Sequence, residues 1–450
     1  IFTFDQAASQ PAYAASVQRM MQAMQRRGPD DAGQWADPQG YLQLGFRRLA
    51  ILDLSPAANQ PMHSPSGRSV IVFNGEIYNH LELRQELESL GWQFLTHSDT
   101  EVLLAALETW GTAALSRLNG MFALAWYDRT NRRLLLARDH AGIKPLYYFI
   151  EPGGRGIAFG SQYNHLLLTP WGEPGEVRLD VLHLYLRIHH IPPPYGLLQN
   201  TYQLEPGSCL LVQPDGRMQK MCWWRLPRCP EKDLEGGPAV DAAGEALVRA
   251  VDRQRMADVP LGVFLSGGVD SPLVSAIARQ VTGPGLQAYT IGNPGWKQDE
   301  AADARRFAEH LDLDFRLQNV SGEQMLALVE EAWEAQTEPF ADYSILPTLM
   351  VSRFARQSLT VALSGDGGDE LFFGYERPRS LLRNGADFRF PWAVRLALYG
   401  FGRLGLGPAR SEVIAARTPG DYYYNVNCRM GEADLKLLAP TLPGLPTDFG

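Results

Sequence analysis

The sequence predicts two domains of different class: a layered α+β unit over the first half and an α/β unit with a parallel sheet over the second. Three observations carry this. In the first half, short apolar strands come in pairs between amphipathic helices, the order written by a layered mixed fold. In the second half, strand and helix alternate, which implies parallel pairing through crossover helices. Between them the composition turns to Gly and Pro from Glu151, and to charge, Pro and Gly over residues 227–238. At 450 residues the chain is long enough for two full cores.

Residues 14–26 place Val17, Met20, Met21 and Met24 at helical spacing, a stripe that belongs in a core. Arg27-Gly-Pro-Asp-Asp31 ends that helix, Tyr41 to Phe46 alternates as a strand, and Asn59-Gln-Pro-Met62 reads as a polar loop. Ser69 to Phe73 is a short strand running into Asn74-Gly75-Glu76. Asn-Gly after a strand normally signals a hairpin. Here the chain continues instead through Ile77-Tyr78-Asn79 into a helix with Leu81, Leu83 and Leu87. Ser98 or Asp99 caps the next helix, with Glu101 in its first turn. Met121 to Tyr127 and Leu134 to Ala137 are strands joined by a turn around Asp128 and Asn131. Val181 to Ile188 is a short helix, and Ile191-Pro-Pro-Pro194 is extended because prolines exclude a helix. Residues 201–226 return as strands, with Trp223-Trp224 as a packing anchor.

In the second half, Val259 to Leu265 reads as a buried strand and Ser266-Gly267-Gly268 as a loop. Asp270-Ser271-Pro272 then opens a helix with Leu273, Val274, Ile277 and Val281 apolar. Pro272 is expected at the first helical position, where its missing N–H goes unused anyway. A glycine loop feeding a helix N-terminus suits an oxyanion, since backbone N–H groups approach closely and the helix dipole favours negative charge. A ligand-free turn is the alternative, and neither the Walker A nor the dinucleotide spacing is present. Leu286 to Ile291 is the next strand. A loop to Asp299 leads to a helix with Ala304, Phe307, Ala308 and Leu311, and Met325, Leu328, Val329 and Trp333 line a further helix. Asp299 and Glu300 serve either the helix dipole or a metal. Glu338-Pro-Phe340-Ala-Asp342 opens a loop before the helix Ile345 to Arg356. Thr360 to Leu363 is a strand, left by a second glycine-rich run, Ser364-Gly365-Asp366-Gly367-Gly368-Asp369-Glu370. Ligands of open parallel sheets bind at the carboxyl ends of strands, so both loops are expected to converge on one nucleotide. Three carboxylates within five positions repel one another unless a cation sits among them; a solvated acidic turn is the alternative.

A net charge of −9 argues against a nucleic-acid or anionic-membrane partner. Cys209, Cys222, Cys229 and Cys428 show no metal-ligand spacing and are too few for a disulfide framework, so a reduced, cytoplasmic setting is expected. No signal-peptide pattern opens the chain, and Arg395 and Arg403 interrupt the best apolar run, Phe390 to Leu404, short of the ~18 residues that span a membrane.

Ser266-Gly-Gly-Val-Asp-Ser271 is similar to the pyrophosphate-binding loop of the ATP pyrophosphatase group. Further text lies in Arg27-Gly-Pro-Asp30, Arg48-Leu-Ala-Ile-Leu-Asp53, Phe73-Asn-Gly-Glu-Ile-Tyr-Asn79, Ser98-Asp-Thr-Glu101 and Arg138-Asp-His-Ala-Gly-Ile-Lys-Pro-Leu-Tyr-Tyr148, and Leu371-Phe-Phe-Gly-Tyr375-Glu-Arg377 continues it. Together these resemble the glutamine-hydrolysing asparagine synthetase family, from residue 1 to about residue 380. The resemblance implies an α+β N-terminal-nucleophile glutaminase domain with αββα layers over 1–226 and a linker at 227–238. Residues 239–450 would then be an α/β ATP-pyrophosphatase domain, adenine nucleotide α-hydrolase-like with a parallel sheet and incomplete at its C-terminus. It implies that Arg48 pairs with the α-carboxylate of glutamine through its guanidinium fork. Glu76 and Asp99 would hold the α-ammonium, and the Asn74 side chain and Gly75 N–H would form an oxyanion hole. ATP and pyrophosphate fall to Leu265, Ser266, Gly267, Gly268, Asp270, Ser271, Ile291, Ser364 and Gly365. Mg²⁺ falls to Asp270 and Asp369, with Asp366 beside the acyl-adenylate.

The family's mature chain begins with Cys-Gly, the Cys using its own α-amino group as base. This chain begins Ile1-Phe2-Thr3, which reads as the same strand without those two residues. Either Cys-Gly precedes Ile1, or the glutaminase is silent and free ammonia or another amine is used. Pro272 stands where the family writes Ser, and Gln162 or Tyr163 where it writes Glu. Past residue 380 the resemblance fades, and the family's basic residue near the phosphates does not occur before Gly450. The expected reaction hydrolyses glutamine and amidates an ATP-activated carboxylate, releasing AMP and pyrophosphate. The acceptor is aspartate or another acid such as a polysaccharide uronate, a peptide or a β-lactam precursor. Expected partners are glutamine and that acid, with no nucleic acid, no membrane and a homodimer left open. A silent binding module is the non-enzymatic alternative.

Overall fold

The computed structural model describes every residue except 172–174, 228–233, 298, 377–378, 380–387, 404–415 and 450. Cys229, Arg377, Leu404 and half of the expected linker lie outside the described residues.

The first half opens with β1 (Phe2–Thr3), α1 (Pro11–Ala23), β2 (Asp31–Ala36), β3 (Gln43–Arg48), β4 (Met62–His63) and β5 (Ser69–Ile77). Then come α2 (His80–Ser89), α3 (Asp99–Trp110), β6 (Gly120–Asp128), β7 (Arg133–Arg138), β8 (Tyr147–Ile150) and β9 (Gly156–Gly160). α4 (Leu179–Ile188), β10 (Thr201–Gln203), β11 (Ser208–Val212) and β12 (Met218–Cys222) complete it. A six-stranded sheet in the order β12-β11-β7-β6-β5-β4 faces a four-stranded sheet β1-β9-β8-β10, all pairs antiparallel; β2 and β3 pair separately.

Alternation along β6 and β7 sets the layers. Phe122, Leu124, Trp126, Leu135 and Ala137 pack against Leu83 and Leu87 of α2 and Val102 to Leu107 of α3. Their neighbours Ala123, Ala125, Tyr127, Leu134 and Leu136 point to the other face, where they meet Phe2, Tyr148 and Ile157 of the smaller sheet. The outer side of that sheet is covered by Val17 and Met20 of α1, against Phe149 and Ala158. Helix, sheet, sheet and helix thus stack as αββα.

The second half runs α5 (Gly237–Gln254), β13 (Leu261–Phe264), α6 (Asp270–Thr282), β14 (Gln287–Gly292), α7 (Ala301–His310) and β15 (Asp314–Asn319). It continues with α8 (Gly322–Leu326), α9 (Val329–Ala335), α10 (Ile345–Arg356), β16 (Val361–Leu363) and α11 (Gly368–Phe372). Its strands form a parallel sheet, β15-β14-β13-β16, with Val263 opposite Leu363. The expected fold class holds in both halves. No helix among the described residues is long and apolar enough to cross a membrane.

Several local expectations shift. β5 runs past its expected end at Phe73 through Asn74-Gly75-Glu76, paired with Ala123 to Met121 of β6, in keeping with the reading against a hairpin at Asn-Gly. α6 starts at Asp270, placing Pro272 third rather than first; it is still in the first turn, where no intrahelical N–H is lost. The helix expected through Met325 and Trp333 is two, α8 and α9, and Trp333 is 79% exposed rather than lining a core. The tryptophan anchor holds: Trp223 stacks on Phe122, and the His140 ring meets both Trp223 and Trp224 edge-on.

Candidate functional site

Where the inner ends of β3 and β5 approach β9, a cavity of about 310 Å³ opens, lined by Ile1, Arg48, Asn74, Gly75, Glu76, Lys144, Ser161 and His165 among others. Ile1 in its wall brings the head of β1 to the same cavity as Asn74 and Gly75. Gly75 is set by close approach: a Cβ there would lie 2.0 Å from the Met121 carbonyl oxygen. Asn74 Nδ2 donates to Ser161 Oγ at 3.0 Å.

Glu76 of the cavity wall and its charged neighbour Asp99 come from adjoining elements. Ser98 is the true cap of α3, its hydroxyl accepting from Thr100 N at 3.1 Å. That leaves Asp99 to turn inward, where it accepts from Ile77 N at 2.9 Å and Thr100 Oγ1 at 3.4 Å. Glu101 is spent on Leu95 and Thr96. Glu76 Oε2 is buried without a partner among the described residues. Burial lifts the Glu76 carboxyl well above its usual range and the neighbouring Asp99 charge lifts it further, while Lys144 opposes both. Burial also raises Asp99, against the hydrogen bond from Ile77. Buried Asp99 and half-buried Glu76, with its one orphaned oxygen, fit a cationic group between them.

Arg48 reaches the cavity but not as an open fork. Nη1 donates to Ser55 O at 3.0 Å and Asn59 Oδ1 at 2.8 Å, and Nη2 donates to the carbonyls of Leu52 and Asp53. The guanidinium braces the 52–59 loop, and a carboxylate reaches it through Nε or by displacing that loop. Sequence reasoning gave no role to Ser161, Lys144 or His165. Both ring nitrogens of His165 are buried without partners among the described residues, and burial pulls its pKa down to about 4. Its only sequence signal was a polar residue at an inward position of a short helical turn, Tyr163–Leu168.

In the second half the two glycine loops leave adjacent parallel strands, β13 and β16, and touch. A Cβ on Gly365 would lie 2.6 Å from Ser271 N, and one on Gly368 would lie 2.6 Å from Asp270 Oδ2. The first loop is closed by its own hydroxyls: Ser271 Oγ accepts from Ser266 N at 2.8 Å, and Ser266 Oγ accepts from Gly268 N at 3.2 Å. Gly267 N donates to Glu300 Oε2 at 2.9 Å, while Asp299 accepts from Ala301 N at 3.2 Å. Asp299 is therefore the helix-start carboxylate and Glu300 a loop partner. Ser364 Oγ donates to Asp366 Oδ2 at 2.8 Å. Leu265 is core, with its N–H on Tyr289 O at 3.0 Å, and Ile291 packs against Val320, Leu328 and Met350, so neither side chain faces the loops. Among the described residues no three His, Cys, Asp or Glu gather as a metal cage. Asp270 and Asp369 on the touching loops fit Mg²⁺ only in the manner of a nucleotide site, where waters and phosphates supply most of the oxygens.

The halves are joined by polar contacts. Tyr147 OH donates to Glu338, Tyr163 N donates to Thr337 Oγ1 at 3.2 Å, and Ala341 N donates to His189 O at 2.9 Å.

A family model described as glutamine amidotransferase domain matches residues 2–224, and one described as asparagine synthase matches residues 242–424. A Bacillus subtilis protein named asparagine synthetase [glutamine-hydrolyzing] 1 is 34% identical over 383 residues, 85% of this chain and 59% of that one. A Methanocaldococcus jannaschii protein, provisionally named asparagine synthetase [glutamine-hydrolyzing] 2, is 34% identical over 379 residues, 80% of this chain and 72% of that one. A Gibberella zeae protein named amidase chry2 is 30% identical over 383 residues, 81% of this chain and 56% of that one. The chain thus spans under three fifths of the Bacillus and Gibberella relatives, at 59% and 56% of their lengths. Two matching domains in order, identity maintained across most of the chain, and the paired glycine loops agree: the chain belongs to the glutamine-hydrolysing asparagine synthetase family.

Proposed function

We propose that the protein is an ATP-dependent amidotransferase, with a glutaminase domain over 1–226 and a synthetase domain over 239–450. The reading is carried by one observation: the loops at Ser266 and Ser364 meet at the carboxyl ends of adjacent parallel strands, in a chain whose other domain holds a cavity lined by Glu76, one carboxylate oxygen of which is buried without a partner among the described residues.

Glutamine enters with its α-ammonium between Glu76 and Asp99, and its side-chain amide beside Asn74 and Gly75. The family resemblance places the nucleophile, a cysteine, ahead of Ile1, and Ile1 lines the same cavity. As the cysteine attacks, negative charge develops on the amide oxygen, and the donors of Asn74 and Gly75 stabilise it. In the second domain the hydroxyls of Ser266, Ser271 and Ser364, and the N–H groups of 266–268 once released from Ser271, Glu300 and Ser266, hold the ATP phosphates, with Gly365 keeping the backbones in contact. Asp270 and Asp369 would hold Mg²⁺, which would supply positive charge against the phosphates. A carboxylate is a poor electrophile; adenylation makes AMP its leaving group, and ammonia completes the amide beside Asp366. The thiols of Cys209, Cys222 and Cys428 are free, which suits a reducing cytoplasm.

Aspartate is the simplest acceptor. A second reading, another carboxylate, is favoured by the similarity to the relative named an amidase. Pyrophosphate release measured over a panel of acids, with glutamine or ammonium as nitrogen source, separates them. Release with aspartate supports the first, and release only with another acid overturns it. Intact mass of the native protein identifies the residue at its N-terminus. Asp270→Ala is expected to cut release about 100-fold, and unchanged release would remove the nucleotide assignment.

A further inference from the structure

The structure assigns Ser161 as the positioning residue that aims the Asn74 amide, an assignment that rests on reading the cavity as a glutaminase centre. Asn74 sits on β5, in the six-stranded sheet, whereas Ser161 follows the last residue of β9 in the four-stranded sheet. Both line the cavity, and the 3.0 Å bond from Asn74 Nδ2 to Ser161 Oγ crosses between the sheets. It is the one side-chain hydrogen bond of Asn74 among the described residues.

The chemistry explains why such a tether matters. The last torsion of an asparagine is broad and roughly two-fold, so an untethered amide presents its oxygen about as readily as its nitrogen. A carbonyl oxygen turned towards a developing oxyanion repels it, and an N–H stabilises it. Ser161 Oγ accepts one of the two Nδ2 protons, which fixes the nitrogen end on the cavity side and leaves the second N–H free for substrate. The backbone then continues to Tyr163, whose N–H donates to Thr337 Oγ1 at 3.2 Å, so the tether stands two residues from the second domain. Ser161 touches neither substrate nor reacting atom. It acts through Asn74.

The test compares Ser161→Ala, Ser161→Thr, Asn74→Ala and the double variant S161A/N74A in glutamine hydrolysis and in ammonium-supported pyrophosphate release. Ser161→Ala is expected to lower kcat for glutamine about tenfold with KM little changed. Ser161→Thr, which keeps the hydroxyl, is expected to restore most of it. Ammonium-supported release stays at the wild-type level, and the double variant loses no more than Asn74→Ala alone. An additive double variant, or a rise in KM at constant kcat, overturns the assignment. A second measurement does not depend on turnover. In protein labelled with ¹⁵N-asparagine, exchange of the Asn74 side-chain amide protons is expected to be slow in the wild type and in S161T, and at least about fivefold faster in S161A. Equal exchange in all three overturns the tether even in a preparation that hydrolyses no glutamine. Absent hydrolysis with a protected Asn74 amide counts instead against the glutaminase reading.

Discussion

Half-buried Glu76 and buried Asp99 are neighbours, and the carboxyls of both are raised above their usual range. Between the ordinary carboxylate range and those raised values, the native protein binds more protons than the unfolded chain. Stability contributed by the pair is therefore present at low pH and falls as pH rises through that window. A bound ammonium reverses the balance by favouring the ionised acids. Glutamine binding is accordingly expected to release protons, measurable by calorimetry in buffers of different ionisation enthalpy, and to tighten as pH rises through the same window. Glu76→Gln removes the repulsion and half of the ammonium site. It should raise the thermal midpoint while weakening glutamine about 30-fold or more. A variant that binds glutamine normally would show that the pair does not hold the ammonium. Both acids were legible as motif residues. Their burial and the orphaned Glu76 oxygen were not, because no local pattern records which oxygen lacks a partner.

Elements explain where sequence reading slipped. The strand expected to end at Phe73 continues through Asn74-Gly75 to Ile77, because β6 lies alongside and pairs through it. The glycine is needed for the approach of the Met121 carbonyl, not for a turn. Similarly, an apolar period over 325–333 does not reveal the break between α8 and α9. The two glycine loops lie where they were expected, at the ends of adjacent strands, because each combines a short apolar strand, glycines and a helix start within a dozen residues. Their contact gives a test. A Cβ on Gly365 would strike Ser271 N at 2.6 Å and Asp270 C at 2.9 Å, both backbone. Gly365→Ala should force the loops apart and weaken ATP about tenfold or more, while Gly322→Ala, with open space around it, should leave binding unchanged. Titration of both variants with a fluorescent ATP analogue decides; equal affinities would separate the loops functionally.

At the scale of the molecule, the halves meet at side chains that neither domain's own text explains. Glu338 is half-buried; its second oxygen is buried without a partner among the described residues, and burial raises its carboxyl while the Tyr147 hydroxyl lowers it. Further along, helix α4 of the first half is gripped by the end of the chain: Pro443 O lies 2.6 Å from His183 Nδ1, and Arg187 reaches Glu432 at 3.1 Å. Tyr147→Phe removes a hydroxyl and leaves a half-buried carboxylate wholly unpaired. It should cost about 1–3 kcal/mol in thermal unfolding, with Glu338→Gln on that background recovering part of the loss. A Tyr147→Phe protein as stable as the wild type would mean the contact carries no weight.

The sequence by itself determined the fold class of each half, the order of the domains and the two glycine loops, because periodicity, turn chemistry and contiguous motifs are local properties. Only the tertiary structure decided that Arg48 spends its fork on a loop, that Glu300 rather than a solvated helix start meets Gly267, and that Ser161 holds Asn74 from another sheet. Each of those joins residues about 4 to 87 positions apart, across strands and loops whose spacing along the chain says nothing of their distance in space.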